Sequence, residues 1–194
     1  MSRLLRAAAL LLFVAACGGK DYSAPRNLDD ACSITSQRPN YLRAMQRAEQ
    51  RWGVPVHVQM ATIYQESKFI GNARTPYRFA LGVIPMGRQS SAYGYSQALD
   101  GTWDEYKVAT GNRTAKRDNI RDATDFMGWY MDGTMKSLGI SKLDAANQYL
   151  AYHEGRTGYL RGSYQSKSWL MRVAAEVGTR SQTYARQLQA CGRA

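Results

Sequence analysis

The stretch "VPVHVQMATIYQES" at residues 54–67 restricts the fold more than any other part of the chain. Pro55 suits a first helical turn, and Val54, Val56, Val58, Met60 and Ala61 leave almost no polar side when wound at helical pitch. A helix that is apolar nearly all round has no face to offer water, so other elements must surround it. One residue stands against this pattern. Glu66 lies four and three residues after Thr62 and Ile63, on their face, with Gln59 a turn further back. A carboxyl at the end of a buried helix loses hydration on ionising and holds its proton more tightly than in water. A general acid working near neutral pH needs such a proton. The competing reading puts Glu66 one turn beyond the core, exposed and paired with a lysine or arginine.

The neighbouring segments also read as helices. "NYLRAMQRAEQRWG" runs from a cap at Asn40 to a stop at Gly53, and Thr102 with Glu105 forms a capping-box pattern for "TWDEYKVATG". "IRDATDFMGWYMDGTMKSLG" carries Phe126, Met127, Tyr130, Met131, Met135 and Leu138 at helical spacing and closes at Gly139. Ser141 caps "KLDAANQYLAYHEG", and "KSWLMRVAAEVGTRSQTYARQLQA" gives one long helix or two broken near Gly178. The segment "YRFALGVIPMGRQSSAYGY" is too rich in glycine, serine and aromatics for one helix and is expected to hold a short hairpin. The fold class is therefore mainly α. Its aromatic and methionine stripes are core positions and imply no cofactor.

The first sixteen residues do not belong to this domain. Arg3 and Arg6, the apolar run from Ala7 to Val14 and small residues before Cys17 have the layout of a secretory signal peptide, too short for an ordinary membrane-spanning helix. "VAAC" resembles a bacterial lipobox, in which the cysteine becomes the lipid-bearing first residue; a plain signal peptide with an incidental cysteine is the other reading. Gly18 rather than Asp follows it, which in such lipoproteins implies delivery to the outer membrane. Residues 17–39 then read as a lipidated tether, with little structure before Cys32. Two cysteines remain, Cys32 and Cys191, and in an oxidising compartment such a pair normally bonds. A crosslink closing nearly the whole domain restricts the unfolded chain by roughly 4 to 5 kcal/mol in the loop-entropy model. Two free buried thiols are the other reading. Losing Arg3 and Arg6 takes the formal charge from +11 to +9. The basic residues are scattered, without a dense block or a nucleic-acid motif, so an anionic surface such as cell wall or membrane fits this charge as well as nucleic acid does, and a solvated face with no specific partner is the other reading.

Three short motifs, in order, carry a family resemblance. "ESKF" at 66–69 resembles the Glu-Ser-x-Phe signature of lytic transglycosylases related to goose-type lysozyme. "GYSQ" at 94–97 is similar to their Gly-Leu-Met-Gln motif, and "AYHEG" at 151–155 resembles their Ala-Tyr-Asn-x-Gly motif. The resemblance covers residues 54–160 directly. It implies a lysozyme-like α-helical domain over 40–194 that acts on peptidoglycan without cofactor. Glu66 would protonate the glycosidic oxygen between N-acetylmuramic acid and N-acetylglucosamine, then take a proton from the muramic acid 6-hydroxyl as a 1,6-anhydro ring closes. One carboxyl then suffices where most glycosidases need two.

By the same resemblance Tyr152 would contact the substrate or the catalytic carboxyl, Ser96 and Gln97 would hold an N-acetyl group, and Ser67, Tyr95 and His153 complete the substrate-binding set. Tyr95-Ser96 stands where the family has Leu-Met, and His153 where it has Asn. Asp100, Asp104 and Glu154 leave open a second, water-activating carboxylate and hence a hydrolysing lysozyme. An inactive peptidoglycan-binding module is the remaining alternative. Arg74, Tyr77, Arg78, Phe79, Arg88 and Tyr93, between the first two motifs, belong either to a groove loop or to a packing loop. His57 and His153 show no metal-ligand spacing. Ser67 has no histidine and acid in recognisable relation.

Overall fold

The computed structural model describes residues 21–193. They form helices α1 (Ala31–Gln37), α2 (Pro39–Trp52), α3 (Val56–Ser67), α4 (Asp100–Thr110), α5 (Ile120–Leu138), α6 (Ala145–Leu160) and α7 (Ser168–Ala190). Between α3 and α4 lie strands β1 (Tyr77–Ala80) and β2 (Ile84–Arg88), an antiparallel pair with Tyr77 opposite Arg88 and Ala80 opposite Ile84. The mainly α, lysozyme-like class read from the sequence is the class observed, hairpin included.

Helix α3 is the centre. It packs against α2, α5, α6 and α7, and Val58, Met60, Ala61 and Ile63 have no exposed surface. Burying each larger apolar side chain stabilises the fold by about 1.5–3 kcal/mol. The polar residues inside this helix are satisfied in part, the buried amide oxygen of Gln59 having no partner among the described residues. Gln59 donates from its amide to the carbonyls of Met45 and Val54, at 3.0 and 2.8 Å, and Thr62 returns its hydroxyl to Val58.

Several helix boundaries differ from expectation. Helix α2 starts at Pro39, whose missing N–H costs nothing in a first turn, so Asn40 lies inside it. Helix α4 begins at Asp100, two residues before the anticipated capping box, with Leu99 at the cap position and no side-chain cap. Asp144 rather than Ser141 caps α6, accepting from the Asn147 N–H at 3.0 Å. Ser141 instead accepts from Leu143 in the turn before. Helix α7 runs unbroken through Gly178, where packing against Ala146 of α6 outweighs the glycine's low helix propensity.

The expected tether is too long at its C-terminal end. The signal-peptide residues and Cys17 lie outside the described residues, but residues 21–39 are packed onto the domain. Asp30 caps α1 by accepting from Cys32 and Ser33, and Ile34 is fully buried. Gln187 of α7 accepts from Ala31 and donates to Asp29, and Tyr184 donates to the Leu28 carbonyl. A seven-residue helix is unstable alone in water; here tertiary contacts and a bond between Cys32 and Cys191 hold it. That bond spans 159 residues. Reducing it is expected to lower the melting temperature by roughly 10–15 °C, from the loop-entropy contribution and the usual temperature sensitivity of a domain this size. Calorimetry with and without reductant, alongside thiol titration, checks this: two titratable thiols in the oxidised domain would contradict the bond.

Candidate active site

Glu66 occupies the last turn of α3, and the chain leaves that turn by an unusual route. Lys68 and Phe69 both have positive φ, 51° and 60°, in the left-handed region that non-glycine residues avoid. Each such residue costs about 1–2 kcal/mol. The compensation lies around Phe69, which is fully buried and stacked on Tyr41 with ring centroids 6.0 Å apart. Ser67 donates to the Tyr95 carbonyl at 2.9 Å, and the Gly71 N–H donates to Tyr22. The turn is thus held on three sides, and Glu66 faces the cleft.

That cleft has a volume of about 450 Å³, and Glu66, Gln97, Tyr130, Tyr152, His153 and Glu154 are among its lining residues. Burial pushes the Glu66 carboxyl up to about 7, against a smaller opposing effect from the Tyr149 hydroxyl, which donates to it, and from the Lys68 ammonium. Tyr149 and Tyr152 sit three residues apart on one face of α6, so both reach the end of α3. Burial and the nearby Glu66 raise the pKa of both phenols, keeping them protonated. Tyr152 gives its single proton to the Ser96 carbonyl at 2.6 Å and packs edge-on against Tyr130. Tyr149 is thus the phenol whose hydroxyl opposes the rise at Glu66, and none of the three sequence motifs includes it. Its three-residue spacing from Tyr152 was the signal.

The other predicted residues divide into two groups. Ser67, Tyr95 and Ser96 are buried and do not line the cleft. Ser67 latches the turn, Tyr95 shares a 2.9 Å hydrogen bond with Tyr41, and Ser96 supplies the carbonyl that holds Tyr152. These three support the site from behind. Gln97 and His153 do line the cleft. Gln97 commits its amide N–H groups to the carbonyls of Ala73 and Gly94, leaving its oxygen as the free end. His153 lies edge-on to Trp169, with centroids 5.3 Å apart.

The motif glycines have backbone reasons. At Gly94 a Cβ would lie 2.1 Å from the Arg117 carbonyl oxygen. Gly155 interrupts α6 at φ 73° and ψ 157°, a region open only to glycine. The break separates Glu154 from Glu66 in character. Glu154 is held by Lys167 at 2.7 and 2.9 Å, by Ser163 and by His153, and these hydrogen bonds keep its pKa down at about 2. Asp100 and Asp104 are exposed, paired with Arg117 and Lys107, and lie outside the Glu66 cleft. A larger depression of about 530 Å³ lies between α3 and α7 around Tyr64, where Arg180 pairs with Asp29 at 2.7 Å. The carboxyl raised to about 7 lies in the smaller cleft.

The domain is thus a helical one whose cleft is lined by a carboxyl that burial holds near neutral pKa. The chain belongs to the family described as the transglycosylase SLT domain, whose sequence model matches residues 5–191. No curated protein matches it. Membership makes the domain a glycosidic-bond-cleaving transglycosylase that binds and degrades peptidoglycan strands.

The Tyr149 contact has a signed consequence. Its hydroxyl favours the ionised form of Glu66, so Tyr149→Phe raises the carboxyl's pKa further. Where activity requires protonated Glu66, the alkaline limb of the kcat/KM profile is expected to move to higher pH in this variant. An unchanged limb would mean that Tyr149 does not govern the proton.

Proposed function

We propose that the domain is a lytic transglycosylase in the strict sense, a lyase that releases 1,6-anhydro-muramic acid ends. The proton of the Glu66 carboxyl passes to the oxygen linking N-acetylmuramic acid to N-acetylglucosamine. The bond from that oxygen to the muramic anomeric carbon breaks, and the glucosamine side leaves as an alcohol. The muramic 6-hydroxyl then bonds to the same carbon while its proton passes to Glu66, which ends as it began. A carboxyl with pKa about 7 is present in both forms near neutral pH, which suits it to act as acid and then base.

The observation carrying this reading is the contrast within the cleft. The other carboxylate lining it, Glu154, already accepts from three side chains and is fixed in its ionised form. It is poorly placed to serve as a base for water, so the internal hydroxyl is the better nucleophile. Glu66→Gln keeps the shape but can neither give nor take the proton. The variant is expected to fold, to bind peptidoglycan and to lose roughly 10²–10⁴-fold in rate, the usual contribution of general acid–base catalysis. Mass analysis of wild-type digests should show muramic ends lighter by one water than lysozyme products. Reducing muramic ends would assign hydrolysis instead, and undiminished cleavage by Glu66→Gln would remove this mechanism.

We further propose that the chain is an exported lipoprotein acylated at Cys17, held in the periplasm at the outer membrane. The support is the apolar leader followed by "VAAC" and Gly18. Cys17→Ala is expected to release the protein from the membrane fraction into the soluble one. Recovery of the wild type as a soluble, unacylated protein would contradict the anchor.

A further inference from the structure

The hairpin of β1 and β2 leaves most of the apolar surface it carries open to solvent. Tyr77, Phe79, Ile84 and Met86 are half or more exposed, and the turn between the strands is more so, with Leu81 at 91% and Val83 at 76%. A two-stranded ribbon is marginal by itself, and an apolar patch of this kind marks a contact surface. Arg74, Arg78 and Arg88 surround its base without a carboxylate partner among the described residues. No Asp or Glu occurs between Glu66 and Asp100.

We propose that this hairpin is a membrane-contact element, its aliphatic turn entering an anionic lipid surface while the arginines stay at the headgroups. The dimensions agree. The turn lies about three residues beyond Arg78, roughly 10 Å of strand, and interfacial elements bury their apolar faces about 5–10 Å deep. The chemistry also separates this occupant from others. Leu81, Val83, Ile84 and Met86 offer no hydrogen bonds to sugar hydroxyls. A second copy would set its three unpaired arginines against three more. Among the described residues no helix is long and apolar enough to cross a membrane, so the contact is a shallow one. It is independent of acylation at Cys17 and of the reaction at Glu66. Thr75 and Ala92, near the hairpin's base, line the catalytic cleft, so docking the turn would set the cleft a hairpin's length from the lipid.

The test places a reporter at the turn of the full chain carrying Cys17→Ala. Val83→Trp, and separately Met86→Trp, are mixed with vesicles of equal phosphatidylcholine and phosphatidylglycerol bearing brominated acyl chains. Wild-type tryptophan emission is the background. The added emission is expected to shift to the blue and be at least halved, with little change on phosphatidylcholine alone. Adding Leu81→Asp with Ile84→Asp, both at exposed positions, should abolish the quenching while near-ultraviolet circular dichroism stays unchanged. Unquenched emission from both reporters in the folded chain overturns the proposal. So does equal quenching without anionic lipid, or quenching that survives the aspartates. A dimer in sedimentation that the aspartates dissociate would assign the surface to a second copy and also overturn it.

Discussion

The structure depends on how an enclosed helix comes to an end. Helix α3 is enclosed over most of its length, and at its last turn, beside the exposed Lys68, the chain turns sharply back into the core at Phe69. It does so by burying Phe69 against Tyr41, with two consecutive residues in left-handed backbone. Burying a phenylalanine in a core contributes several kcal/mol, which is enough to offset two strained residues. The strain and the packing together fix the direction of Glu66. A looser terminus would let the carboxyl rotate toward water, and its proton affinity would fall toward that of an ordinary glutamate.

The cleft also shows how environment rather than residue type sets the role of a carboxyl. Glu66 and Glu154 line the same space, yet burial raises one and hydrogen-bond donors lower the other. Tyr149 limits the rise at Glu66, so that the proton is held but can still leave. The buried residues Ser67, Tyr95 and Ser96 act at one remove. They hold the loop and the Tyr152 ring beside the carboxyl.

Much of this was legible before any coordinates. The helix at 54–67 announced its burial through its unbroken apolar surface, and Glu66 through being the exception to it. The three motifs mark stretches that the fold brings to one cleft, but motif membership does not distinguish a residue lining that cleft from one buried beside it. Direction depends on turn geometry that no local pattern encodes, as at Lys68 and Phe69, where neither residue type favours positive φ. Tyr149 was hidden for a similar reason. A tyrosine on a helix reads as core until a second helix end is known to face it. Caps failed where packing and sequence competed, as at Thr102, because a side-chain cap is worth about 1 kcal/mol and tertiary contacts decide the starting residue. The segment from 21 to 39 looked like linker because its anchors are distant: Gly71, Asp118, Tyr184 and Gln187 all lie far along the chain.

The bond between Cys32 and Cys191 has a mechanical side. It joins the start of α1 to the end of α7, the helix that packs most extensively on α3. A force applied to the chain before residue 32 is therefore carried across a covalent link into the middle of the fold. Without it, a pull would be resisted by α1's own packing alone, the burial of Ala31 and Ile34 and a few hydrogen bonds to α7. With it, the same pull is shared between both ends of the chain and loads α7 along its length. Such a domain can be tugged by whatever precedes it without its catalytic cleft being unravelled from the near end.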